Sequence, residues 1–204
     1  MKRVGVLAAA VLLAAAGCGA GEPTATPSAA TSSAAPTGST SAPAPASATP
    51  TGSAPAVLEF TVDGAGPYRL GAMLADLQAA GQLDEVATAA ACPGNTTARG
   101  TGTWEGIRLS FHSDGELYLA VNRSPSIPTP SGAWLGTTLA QLKSIYKGIP
   151  GQDLKRGTAN AHLVTTMSGR GILFELDSGK KVVSMAAAQA GYLKSSFVGG
   201  TGFC

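Results

Sequence analysis

Charge and aromatic side chains are both scarce in this sequence: 13% of its 204 residues are charged and 5% are aromatic. Lysine and arginine form no stripe, which removes electrostatic support for nucleic-acid binding. There are two histidines: His112 reads as a surface cross-strand partner of Glu116, and His162 has no cysteine, histidine or carboxylate at ligand spacing, so no metal site is expected. No Gly-x-Ser-x-Gly elbow gives the serines a triad context. The Gly-x-Gly fragments of "GTGTWEG" and "DGAGPYRLG" lack the strand-to-helix setting with a spaced acid that nucleotide sites need. No catalytic residue, cofactor or metal is therefore assigned. Asp84 and Glu85 read as first-turn acids of a helix, and Asp153, near Lys155 and Arg156, as solvated charge in a loop.

A long apolar run is missing too. Val4 to Ala16 is the longest, too short for a span of about 20 residues, and it follows the basic pair Lys2 and Arg3. That is the layout of a secretory signal over residues 1–17. Its end, Ala15-Ala16-Gly17-Cys18, resembles the lipobox of bacterial lipoproteins, with Ala15 where a larger aliphatic residue is usual. The resemblance implies that the Cys18 sulfur receives a diacylglycerol and anchors the protein to the cell membrane on its extracytoplasmic face. The other reading is an ordinary A-x-A cleavage after Ala16 with an incidental cysteine. Residues 18–56 are almost wholly Ala, Ser, Thr, Pro and Gly, with seven of the thirteen prolines. A segment so poor in large apolar side chains cannot offset its ordering entropy and reads as a disordered linker. Its ends would lie about 35 Å apart as a coil. Loss of Lys2 and Arg3 with the signal takes the formal charge from +2 to 0.

Cys92 and Cys204 remain after lipidation of Cys18. Outside the cytoplasm such a pair reads as a disulfide rather than as two buried thiols. It would close a loop of more than a hundred residues and pin the C-terminus.

Residues 57–204 suit one compact domain, and within it a pattern repeats. Leu-Gly-x-x-Leu-x-x-Leu occurs at Leu70 to Leu77 and again, 65 residues on, at Leu135 to Leu142. The leucines at i, i+4 and i+7 predict one face of a helix in each copy. Thr137 and Thr138 suit a start, Gly81 and Gly148 suit stops, and a further short helix is possible over 83–91. Each copy is followed by a hairpin. In the first, a three-residue loop Ser113-Asp114-Gly115 pairs Phe111 with Leu117, Leu109 with Leu119 and Ile107 with Val121, all on one face, with Gly115 in the left-handed position. The same rule at Asp177-Ser178-Gly179 pairs Phe174 with Val182 and Glu175 with Lys181. A strand precedes each hairpin, near Thr101 to Trp104 and near His162 to Met167.

The expected fold class is thus α+β: two tandem helix-plus-antiparallel-meander repeats, 57–126 and 127–204, forming one sheet backed by helices. This layout resembles the β-lactamase inhibitory protein fold, and the single unit resembles the BamE/OmlA outer-membrane lipoprotein domain. The likeness is carried by the two Leu-Gly-x-x-Leu-x-x-Leu segments and the hairpins. It implies a sheet surface that binds a partner, but it transfers no contact residue. Tyr118, on the face opposite Leu117 and Leu119, and Tyr68 and Trp134, each just before a helix start, are the candidate partner-binding residues. The expected function is that of an exported, lipid-anchored envelope lipoprotein presenting a non-enzymatic protein- or ligand-binding domain, with the membrane as one partner and a protein or cell-wall component as another. The alternatives are an envelope hydrolase of wall polymers or an inhibitor of a secreted enzyme.

Overall fold

The computed structural model describes residues 57–90 and 92–203. The signal and linker readings, Cys18 and Cys204 lie outside them. Three two-residue strands, β1 (Phe60–Thr61), β2 (Gly64–Ala65) and β3 (Tyr68–Arg69), form a small sheet that leads into helix α1 (Leu74–Ala79). Four strands follow: β4 (Leu83–Thr88), β5 (Thr96–Gly100), β6 (Ile107–Phe111) and β7 (Leu117–Asn122). After helix α2 (Leu139–Ile145) come β8 (Gly151–Arg156), β9 (Ala159–Thr165), β10 (Arg170–Leu176) and β11 (Val182–Gln189), and then helix α3 (Ala190–Gly199). The last eight strands make one sheet in the order β4-β5-β6-β7-β11-β10-β9-β8 with every pairing antiparallel.

This corrects the expected fold class. Among the described residues, three helices of 6, 7 and 10 residues stand against an eight-stranded and a three-stranded sheet, so the fold is mainly β rather than α+β repeats. The leucine stripes overstated the helices, because Leu70 and Leu135 lie before the first turn. The expected helix over 83–91 is strand β4, whose backbone pairs with β5 while Arg99 bridges Asp84 and Glu85. Those two acids are cross-strand partners, not first-turn acids. The strand expected near Thr101 to Trp104 ends at Gly100, and Gly102–Trp104 is a 3-10 turn. Asp153 lies in strand β8, not in a loop.

The repeated motif has a definite job in each place. Gly71 and Gly136 have φ of +94° and +93°, a region that favours glycine. The turn aims the next residues at the hairpin downstream. Gly71 N–H donates to the Leu117 carbonyl at 2.8 Å, Leu117 N–H to Ala72 at 2.9 Å and Leu74 N–H to Gly115 at 2.9 Å. The second copy repeats this: Gly136 N–H to Val182 at 2.7 Å, Val182 N–H to Thr137 at 2.9 Å and Leu139 N–H to Lys180 at 2.9 Å. Thr138 then caps α2, its side chain accepting from Gln141 N–H while the Gln141 side chain accepts from Thr138 N–H.

Both hairpins use a three-residue loop and both then bulge. His112 N–H donates to Glu116, Gly115 has φ of +89°, and Phe111 faces Leu117 as expected. The register then slips: Ser110 faces Leu119, Leu109 faces Ala120 and Ile107 faces Asn122. The extra residue, Tyr118, sends Leu119 and Val121 to the opposite face from Leu117. In the second hairpin Lys180, not Gly179, is the left-handed residue, at φ +57°. Leu176 therefore faces Val182, and past a bulge at Val183 Glu175 faces Ser184 and Phe174 faces Met185.

Two cores result. On one face Ile107, Leu109, Phe111, Leu117, Phe174 and Met185 pack with Leu77 of α1, Leu142 of α2 and Phe60 and Tyr68 of the small sheet. On the other, Leu119, Val121, Leu163, Leu173, Ala186 and Ala188 pack with Leu193 and Phe197 of α3. Each fully buried Leu or Phe contributes about 1.5–3 kcal/mol relative to exposure. The bulge at Tyr118 is thus what supplies β7 to both cores.

Candidate functional site

The three aromatic candidates have three separate environments. Tyr68 is fully buried, edge-on to Trp104 with ring centroids 6.2 Å apart. Its hydroxyl donates to the Gln82 carbonyl at 2.7 Å and accepts from Thr101 N–H at 3.0 Å. A side chain satisfied in this way is core, so Tyr68, expected at a partner-binding surface, presents nothing to a partner. Counted from the repeated motif, Tyr68 matches the buried Ala133 and the exposed Arg69 matches Trp134, so the two aromatics sit one residue out of step and on opposite sides of the chain.

Tyr118 is half-buried. It stacks on His112 at 4.1 Å, meets the edge of Tyr192 at 5.5 Å, accepts from Asn95 Nδ2 at 3.2 Å and donates to the Phe203 carbonyl at 3.4 Å. Tyr192 also donates to that carbonyl, and burial pushes its hydroxyl pKa well up. Tyr118 therefore clasps the C-terminal tail to the turn holding Cys92 and Asn95. Cys92 is disulfide-bonded. Cys204, its expected partner, lies outside the described residues.

Trp134 is 53% exposed. Its backbone is held in a tight turn, Trp134 N–H donating to Thr137 Oγ1 at 3.0 Å and Thr137 N–H to the Trp134 carbonyl at 3.2 Å. The indole edges an open cavity of about 410 Å³ bounded by Gly132, Gly136, Thr137, Gln141, Ser144 and Ile145. One wall is α2, made rigid by its capping box, and the polar groups along it are Thr, Gln and Ser.

A second open cavity of about 380 Å³ lies at the other end of α2, lined by Lys143, Tyr146, Lys147, Ile149, Gly151, Asp153 and His162 among others. Asp153 on β8 faces His162 on β9, and its carboxylate is shared: Oδ1 with His162 Nδ1 at 2.7 Å, Oδ2 with Lys143 Nζ at 2.6 Å. The Lys143 ammonium holds the Asp153 pKa below the usual carboxylate range, against the opposing effect of burial, with the His162 ring adding a smaller lowering of its own. Tyr146 is buried at the cavity's edge and donates to Thr129 Oγ1 at 2.9 Å, and burial raises its pKa. Sequence reasoning missed this group because the two residues lie on different strands. The available signal was Gly157-Thr158, a two-residue hairpin turn whose register puts Asp153 opposite His162. Among the described residues no group of three His, Cys, Asp or Glu side chains could hold a metal ion, and no helix is long and apolar enough to cross a membrane.

No protein-family model matches the chain, and no curated protein matches it. A solved structure of an extracellular protein containing an SCP domain from Bacillus anthracis str. Ames is similar at 11% identity and a TM-score of 0.41, covering 62% of this chain and 46% of that one. The chain thus spans about half the length of that protein.

Proposed function

We propose that this chain is an exported envelope lipoprotein, anchored to the cell membrane through lipid on Cys18, whose domain is a non-enzymatic binding module with Trp134 as its anchor. The observation that carries the binding reading is the exposed Trp134 indole beside the capped helix α2. An aromatic ring held by a rigid turn at the rim of a cavity, with hydrogen-bonding groups opposite, is the arrangement of a recognition hot spot. Tyr118 and Tyr68 are spent on internal contacts and leave Trp134 alone in that role. Export is supported by the signal-like N-terminus and by the bonded Cys92, since disulfides persist outside the cytoplasm.

Two measurements test the reading. Membrane fractionation of the Cys18→Ser chain should find it released, and retention would remove the anchor. The released chain, immobilised, should enrich a partner from envelope extract or culture supernatant, and Trp134→Ala should abolish the enrichment. Equal recovery on both, or recovery on neither, rejects Trp134 as the anchor.

A further inference from the structure

We propose that the cavity at the C-terminal end of α2 binds a small anionic amphiphile, with its phosphate or carboxylate head at His162 and its short apolar chain over Ile149. This site is separate from the Trp134 cavity and stands independently of that reading.

The His162 ring is held as a binding group is held. Its side chain is only 6% exposed, and Asp153 fixes the ring through Nδ1. The other nitrogen, Nε2, makes no hydrogen bond among the described residues and lies beside Gly151, which lines the cavity with His162. Room for a ligand there comes from Gly151: a Cβ on that residue would sit 3.0 Å from Nε2 and 3.1 Å from Cε1. Gly151 has no positive φ, so its lack of a side chain is needed for space and not for backbone conformation.

The charge decides the ligand class. Lys143 and Lys147 both line the cavity, against the single carboxylate of Asp153. The two ammonium groups exceed the one carboxylate by a single positive charge. Lys143 spends one of its three N–H groups on Asp153 and keeps the others. An oxyanion meets the ammonium donors of Lys143 and Lys147 here, whereas an ammonium ligand meets like charge.

The apolar half comes from the neighbouring cavity. It measures about 210 Å³, shares Tyr146 and Ile149 with the first, and is lined further by Val62, Pro130, Val164 and Ile172. Ile149 is 44% exposed between the two, an apolar side chain that a ligand's chain would cover.

The test uses the full chain released by Cys18→Ser, with hexyl phosphate and hexanoate as probes followed by calorimetry. At least one amphiphile should bind saturably. Inorganic phosphate should bind more weakly, by about fourfold for each methylene the ligand buries. Gly151→Ala, which covers Nε2, and His162→Gln should each weaken binding by about tenfold or more with circular dichroism unchanged. Trp134→Ala should leave it unaltered, and hexylammonium should not compete. Vesicles of phosphatidylcholine with phosphatidic acid separate the two sources of the head group. Co-sedimentation that Gly151→Ala abolishes assigns it to a membrane lipid, and hexyl phosphate binding without co-sedimentation assigns it to a soluble ligand. No saturable binding of either probe, binding that survives Gly151→Ala in a folded protein, or equal affinity for inorganic phosphate overturns the proposal.

Discussion

Gly71 and Gly136 allow the repeated motif to be tested as a folding device. Alanine at either position must adopt φ near +94°, where a Cβ is strained whatever space surrounds it. Space is not the obstacle: a Cβ at 136 meets nothing within 4 Å, and at 71 only Glu116 Oε1 at 3.8 Å. The strain is therefore close to pure backbone cost, about 1–3 kcal/mol, offset by about 0.4–1 kcal/mol of reduced unfolded-state entropy. The chain has two responses: it can keep the turn and the strain, or relax the turn and lose the three backbone bonds that follow it. At about 1 kcal/mol each those bonds are worth roughly 3 kcal/mol together. Keeping the turn costs less, so each variant should fold with its helix still docked. Net destabilisation of about 1–2 kcal/mol follows for each site. The two sites share no partner, so the double variant should lose the sum. Urea unfolding checks this: the midpoint should fall with the m-value unchanged. A loss below about 0.5 kcal/mol at both sites would refute the strain argument, since that is the range of neutral surface changes. A lowered m-value would show that the turn itself had relaxed.

Other outcomes follow from single groups. Tyr68→Phe removes the acceptor for the half-buried Thr101 N–H and the donor to Gln82, and should cost about 1–2 kcal/mol in the same urea assay, because two part-buried hydrogen bonds are lost. Asp153 has a folded pKa held below its unfolded 3.8, so the unfolded chain binds the extra proton and stability is lost as pH falls through that range. Asp153→Asn should flatten the melting temperature's fall below about pH 4, and an unchanged slope would show that the pair with Lys143 and His162 contributes nothing. If Cys204 is the partner of Cys92, Cys204→Ser should lower stability by up to ~4.7 kcal/mol in the chain-entropy model and free the tail from Tyr118. A mass shift showing two free thiols in the oxidised wild-type chain would remove that pairing.

Local chemistry was readable wherever one residue or one turn settles the matter. Thr138, one of the two threonines expected at a helix start, caps α2, Gly115 takes its positive φ, and Phe111 faces Leu117 across the first loop. Past that first pair, the sequence leaves two registers open. A strict two-residue period put Leu117, Leu119 and Val121 on one face, whereas the bulge at Tyr118 divides them between two cores. Either register buries leucines. The deciding factor is α3, whose Leu193 and Phe197 give Leu119 and Val121 something to pack against on the far side. The fold class failed for a related reason. Edge strands such as β4 and β8 have little apolar periodicity and are held by backbone ladders to a neighbour already in place, so nothing within the segment announces them.

The sequence by itself determined the turn of the first hairpin, where α2 starts, and which leucines must be buried, because φ, capping and hydrophobicity are properties of a few adjacent residues. Only the tertiary structure decided which face each leucine serves, that Tyr68 is core while Trp134 is surface, and that Asp153 meets His162 and Lys143. These depend on which surface a distant segment comes to cover and on the register between strands, and both are settled only when the whole sheet is assembled.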